Sequence, residues 1–331
     1  ALSGAAANST AVGGSIAVNY VEFDTDATVG TSSSLTGTGG DVIVEASSVN
    51  EVQNLAGGAA ISLKNGTGVG LAISVNIFND YDTAATVNMG ASLVAQGGGS
   101  VKVLATSSLT PMSDTLQLLD DGGDDDPLND ALTSTNLRFS NFAAGIALSG
   151  GSGAAAGGSA SVNVILASTK ATIGTDATLN AADDVEVKAD DTMELFTGAG
   201  SLGISLGSSG VGIAIDVNVI ERDVLTTVNG EAELTAGDAI TVKAKSDDTF
   251  TSIAATFGAG ASGSAVAASV GVMVATTNTR ARVLTGGLGV DRTKLNAGGN
   301  ISVDADGHAD LMMIAGGASI GLGGASVGLA S

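Results

Sequence analysis

The stretch Gly210 to Lys245, GVGIAIDVNVIERDVLTTVNGEAELTAGDAITVKAK, carries the pattern that decides the fold. It contains a glycine-spaced apolar run ending in Val217-Asn218, then a short segment ending in Thr226-Thr227-Val228. An alternating run follows, Ile240-Thr241-Val242-Lys243-Ala244, introduced by the turn pair Gly237-Asp238. Working outward, the first mark recurs as Val18-Asn19, Val75-Asn76 and Val162-Asn163, with Met273 in the asparagine slot of a fifth copy. The second recurs as Ala27-Thr28-Val29, Ala85-Thr86-Val87, Ala171-Thr172-Ile173 and Ala281-Arg282-Val283. The third recurs as Val42-Ile43-Val44, Val101-Lys102-Val103, Val185-Glu186-Val187 and Ile301-Ser302-Val303. Three marks in one order, five times over, signal a repeat architecture.

The alternating runs are rich in Val, Ile and Thr and bounded by Gly, Asp and Ser, which favours strands. Glycine throughout the apolar runs argues against helix, where each costs about 1 kcal/mol relative to alanine. The expected fold is all-β, a right-handed parallel β-solenoid forming one repeat domain, with repeats at about 1–63, 64–149, 150–206, 207–262 and 263–331. The period suggests three short coils per repeat, roughly fifteen coils and a rod of about 70 Å at 4.8 Å per step. On that geometry the asparagines lie three steps apart and each serves a local turn. Asn65-Gly66 admits hairpin elements as a variant.

Composition narrows the function classes. The chain has 331 residues, 49 glycines, no cysteine, no tryptophan and one histidine, with 3% aromatics. A narrow solenoid tolerates so few bulky residues, with Val, Ile, Leu and Ala expected to fill its core. A formal charge of −22 excludes nucleic acid as an expected partner, since phosphate binding needs clustered Lys and Arg. No thiolate metal site or disulfide framework is available. The uncharged stretch from Ser252 to Thr279 is long, yet it is Gly-, Ala- and Ser-rich and recurs with the repeat, so no membrane span is expected. Ala1-Leu2-Ser3-Gly4 matches Ala147-Leu148-Ser149-Gly150, and the C-terminal residues match the approach to another Val-Asn mark. This phase suggests a segment of a longer protein or a subunit that stacks end to end.

One irregularity stands out, an inserted acidic loop at 110–142 in the second repeat, holding both prolines, Pro111 and Pro127. Asp120, Asp121, Asp124, Asp125, Asp126 and Asp130 in it, beside Asn129, are the candidate metal ligands. Oxygen-only donors on a loop suit calcium, although the spacing matches neither an EF-hand nor the Gly-rich calcium nonapeptide. His308, flanked by Asp306 and Asp310, is the one candidate base and reads as a surface turn residue. No P-loop follows the glycine runs, and no aromatic cluster suggests a sugar platform. No catalytic residue is expected.

The units Gly157-Gly158-Ser159-Ala160-Ser161-Val162-Asn163, Thr169-Lys170-Ala171-Thr172-Ile173-Gly174 and Asp184-Val185-Glu186-Val187-Lys188-Ala189 resemble repeats of very large bacterial filamentous adhesins, especially the leukotoxin-like family. The resemblance covers all five repeats outside the insertion, with Met273 as a departure. It implies an extracellular or bacterial cell-surface location. The expected role is a structural rod segment or stacking subunit of a filament or adhesin. Its expected partners are further copies or further repeats of itself, and a host or neighbouring cell surface. Two other readings are a calcium-dependent adhesive module acting through the 110–142 loop and a polysaccharide-processing β-helix enzyme.

Overall fold

The computed structural model describes residues 1–112, 139–286, 292–322 and, as backbone, 326–330. It is all-β, and every strand pairing in it is parallel. The chain opens with β1 (Leu2–Ala7), which pairs with the first full coil. That coil comprises β2 (Ala11–Val29), β3 (Ser34–Gly37), β4 (Val42–Val52) and β5 (Asn54–Ser62). The second comprises β6 (Gly68–Val87), β7 (Ser92–Ala95), β8 (Val101–Pro111) and β9 (Asn141–Ser149). In the third, β10 (Ala155–Ile173) and β11 (Thr178–Ala181) lead into one unbroken strand, β12 (Val185–Ser205). The fourth repeats this with β13 (Gly210–Val228), β14 (Glu233–Ala236) and β15 (Ile240–Gly260). The fifth has β16 (Ala265–Val283), β17 (Lys294–Ala297) and β18 (Ile301–Gly321), and β19 (Ser326–Ala330) begins another turn.

These strands build three stacked sheets. Sheet A holds β1, β4, β5, β8, β9, β12, β15 and β18; sheet B holds β2, β6, β10, β13, β16 and β19; sheet C holds the five four-residue strands. Each repeat is therefore a single coil, and the expectation of three coils per repeat is corrected. Asn163 pairs in register with Asn76 on one side and Asn218 on the other. Five coils at about 4.8 Å span about 24 Å, a third of the expected length. The expected hairpins are likewise replaced: Asn65-Gly66 turns the chain from sheet A to sheet B, whose strands face one another.

The coil has two unlike parts. In the body, the second half of each sheet B strand, sheet C and the first half of each sheet A strand enclose Val, Ile, Leu and Ala, among them Val101, Leu179, Leu234, Ile240 and Val242. At the turn from sheet B to sheet C the backbone needs a left-handed residue. Ser32 (φ 56°), Gly90 (φ 66°), Asp176 (φ 58°) and Glu231 (φ 66°) take that position in successive coils. In the other part, here called the fin, the first halves of sheet B lie directly on the second halves of sheet A. Its interior is Gly, Ala and Ser, not the Val and Ile core expected throughout. A Cβ on Gly203 would meet the Val211 carbonyl oxygen at 2.0 Å, and one on Gly58 would meet that of Leu71 at 1.9 Å. Backbone approaches backbone too closely there for any side chain.

Body and fin meet at a waist filled by larger groups: Phe78, Tyr81, Leu109, Ile165, Met193, Leu195, Ile220 and Phe250. The described ends of the insertion, Thr110-Pro111 and Asn141-Phe142, belong to strands β8 and β9. Pro111 pairs with Val52 in the sheet, and so is not the loop residue expected from sequence.

Candidate interaction surface

Strand alternation sets which residues face solvent, and it divides the outer surface as sharply as the interior. Along β13, Val211, Ile213, Ile215, Val217 and Val219 point outward from the fin, while Glu221, Asp223 and Leu225 point outward from the body. The same switch occurs in β6, from Leu71, Ile73, Val75 and Ile77 to Asp82. Sheet A switches too, from Lys243, Lys245 and Asp247 on the body to Ile253, Ala255 and Phe257 on the fin. The fin segments 1–20, 54–77, 141–164, 197–219, 252–274 and 313–331 contain two charged side chains, Lys64 and Asp216, out of 34 acidic and 12 basic residues. The fin is thus uncharged and apolar on both broad faces; its two charges cancel, the segment 113–138 carries −6 of the net −22, and the body carries the remaining −16.

The two faces differ in relief. On sheet A a row of small residues, Gly57, Ala144, Gly200, Ala255 and Gly316, runs along the stack. Ile146, Leu202 and Phe257 border it, forming a shallow apolar depression. On sheet B the outward rows are mostly Val and Ile, and Ile73, Ile215 and Val270 lie 39%, 40% and 41% exposed at their centre.

Between the fin's sheets, next to the waist, runs a buried polar seam. Asn163 Nδ2 donates to Asn218 Oδ1 at 2.7 Å, and Asn141 Nδ2 donates to the Val162 carbonyl at 2.9 Å. Asp216, fully buried, accepts at Oδ2 from Thr197 Oγ1 (2.7 Å), Ser252 Oγ (2.5 Å) and Asn218 Nδ2 (3.0 Å). The repeated asparagines therefore sit mid-strand and inward, stacked coil on coil, and the expected turn role is corrected. In the fifth coil the seam becomes apolar: Met273 follows Asn218, and Met313 follows Ser252 in register. On the body side, Arg222 is wholly buried, with Nη2 2.5 Å from Asp191 Oδ2 and Nη1 against Asp248 Oδ1. Asp248 also accepts from Thr277 Oγ1 at 2.8 Å. Two buried carboxylates against one buried guanidinium make a structural group whose disruption leaves an uncompensated charge inside the coil.

The six aspartates proposed as calcium ligands, Asp120, Asp121, Asp124, Asp125, Asp126 and Asp130, lie outside the described residues. Among the described residues, Asp183, Asp184 and Asp238 bring carboxylate oxygens within 4.8 Å of one another at the corner before sheet A. One of them already has a structural role, since Asp184 Oδ1 accepts from the Ala239 N–H at 2.9 Å. An equivalent contact occurs lower in the stack, where Asp41 accepts from the Ser100 N–H at 2.8 Å and pairs with Lys102 at 2.8 Å. The hydrogen bond from Lys102, then that from Ser100, holds the Asp41 carboxyl below its ordinary value. His308 lies within β18, not in a turn as expected, and its Nε2 is 3.3 Å from Asp310 Oδ2, with both groups exposed. The described residues include no helix long and apolar enough to cross a membrane.

Comparison of the chain with family models, with curated proteins and with solved structures gives no match. Any functional reading therefore rests on the molecule's own geometry and sequence pattern.

Proposed function

We propose that this chain is a structural rod segment of an extracellular or bacterial-surface filament or adhesin. The observation that carries the reading is the residue-for-residue stacking of whole coils through main-chain ladders. Main-chain pairing accepts any further coil with the same inward pattern, whether from the same chain or from another copy. The surface location draws on the resemblance of the repeat pattern to that of filamentous adhesins.

Electron microscopy and fibre diffraction of the purified chain test the proposal. The expected result is rods that lengthen with concentration and give a reflection near 4.8 Å along their axis. Particles no longer than about 24 Å at every concentration would overturn stacking between copies. Deletion of 113–138 is expected to leave the rods intact. If that deletion, or a calcium chelator, abolished adhesion while rods persisted, function would move to a calcium-dependent module in the insertion. Turnover of glycans would move it to an enzyme.

A further inference from the structure

We propose that the sheet B face of the fin is a lateral docking surface for a second copy of this chain. The occupant is chosen by area, by charge and by main-chain geometry, independently of the axial stacking proposed above.

The apolar face covers five strands, from β2 to β16, and nine residues along each, as from Val12 to Tyr20. At ordinary strand spacing and rise this is about 24 by 30 Å, or about 700 Å². A stable interface of standard size buries about 800 Å² per partner, so one fin face against another is of the right scale. Contiguous exposed apolar area of this extent marks an interaction site.

Charge then sets the orientation. Two chains of −22 repel through their bodies, so the favoured pairing holds the bodies apart. A two-fold axis parallel to the stack does this: the fins lie face to face with strands opposed, and each tip reaches the partner's waist. Coils of the same rank then lie at the same height. Lys64, the fin's one basic side chain, is exposed at the tip turn leading into β6. In this arrangement it approaches the outward acidic row beyond the partner's waist, which in the same coil includes Asp80 and Asp82. The fin's lone cation thus meets the partner's acidic flank. Both stacks also keep the same axial direction, so lateral pairing does not obstruct growth at the ends.

The other face fits this partner less well. Sheet A is furrowed by its row of small residues, and the segment 113–138 departs from the same sheet. A lipid surface is the alternative occupant that the vesicle measurement below separates from a second copy.

The chain has no cysteine, so single reporters can be placed cleanly. Ala160 lies at the centre of the sheet B face, and Ala144 is a similarly half-buried alanine on the opposite face. With a short bis-maleimide, Ala160→Cys is expected to give a covalent dimer of the full chain and Ala144→Cys is not. Ile215→Glu, at an exposed position and with its fold checked by circular dichroism, is expected to weaken association at least about 10-fold. Lys64→Glu is expected to weaken it less, with the difference diminishing in high salt. Sedimentation velocity separates this closed dimer from open-ended axial polymers, which Ile215→Glu leaves unchanged. Equal cross-linking from both faces, or none from Ala160→Cys, overturns the proposal. So does flotation with phosphatidylcholine vesicles in the absence of dimer.

Discussion

The two halves of β13 share one backbone, one sheet and one alternation, yet they obey opposite rules. From Gly210 to Val219 the large apolar side chains face outward and the inward positions hold Gly, Ala, Asp and Asn. From Ile220 to Val228 the inward positions hold Ile220, Arg222 and Val224, and Glu221 and Asp223 face water. The body is therefore held by apolar burial, at about 25 cal/mol per Å². The fin is held by continuous backbone ladders, close contact between its sheets and the buried polar seam. Its apolar groups remain available to something else.

This contrast can be broken by experiment. The largest effect is expected at the waist, where Arg222→Ala strands Asp191 and Asp248 in a dry site. Urea denaturation should show a loss of about 3–5 kcal/mol. Gly203→Val tests the fin interior and should cost about 3 kcal/mol, since its side chain meets main chain. A matched change on the fin's outer face, Ile213→Ser, should stay within about 0.5 kcal/mol in the monomer. If these two costs came out reversed, the fin would have an ordinary core and the contrast would fail. Asn218→Ala should cost about 1–3 kcal/mol by leaving Asp216 and Asn163 short of partners.

The smallest effect belongs to the charged body, where Asp41 stabilises the corner only as a carboxylate. Its folded value is depressed, so its contribution is complete above the ordinary value of 3.8 and is lost as pH falls through the lower folded value. Asp41→Asn should remove that pH dependence without altering the neutral-pH fold, as read by thermal melts across the acid range.

Much of this was legible in sequence. The five copies, the strand character of each mark and the parallel solenoid class follow from period and alternation alone. The number of coils per repeat did not follow, because strands of 19 to 21 residues lie far beyond the usual five or six. Three marks per repeat therefore read as three short circuits. The correcting signal was present: inward positions keep even numbering without a break from Gly210 to Val228, so the first two marks belong to one strand. The stacked asparagines follow once that strand is whole. The inversion in the fin was harder to see, because alternation shows two faces and hydropathy assigns the larger groups to the inside. Only the approach of Val211 to Gly203 reveals that no side chain fits there. The insertion was visible as extra length and acidity, but its departure from within a sheet A strand was not.

The coil's long circuit has a mechanical consequence. Between the third, fourth and fifth coils, strands of 19, 4 and 21 residues pair at once, with hydrogen bonds directed along the stack. Tension along the axis therefore loads that whole set of bonds together, and no coil can yield until many of them fail in concert. A peeling force at one corner meets them one at a time. The same molecule is thus strong as a tether pulled end to end and weak as a tape lifted from its edge.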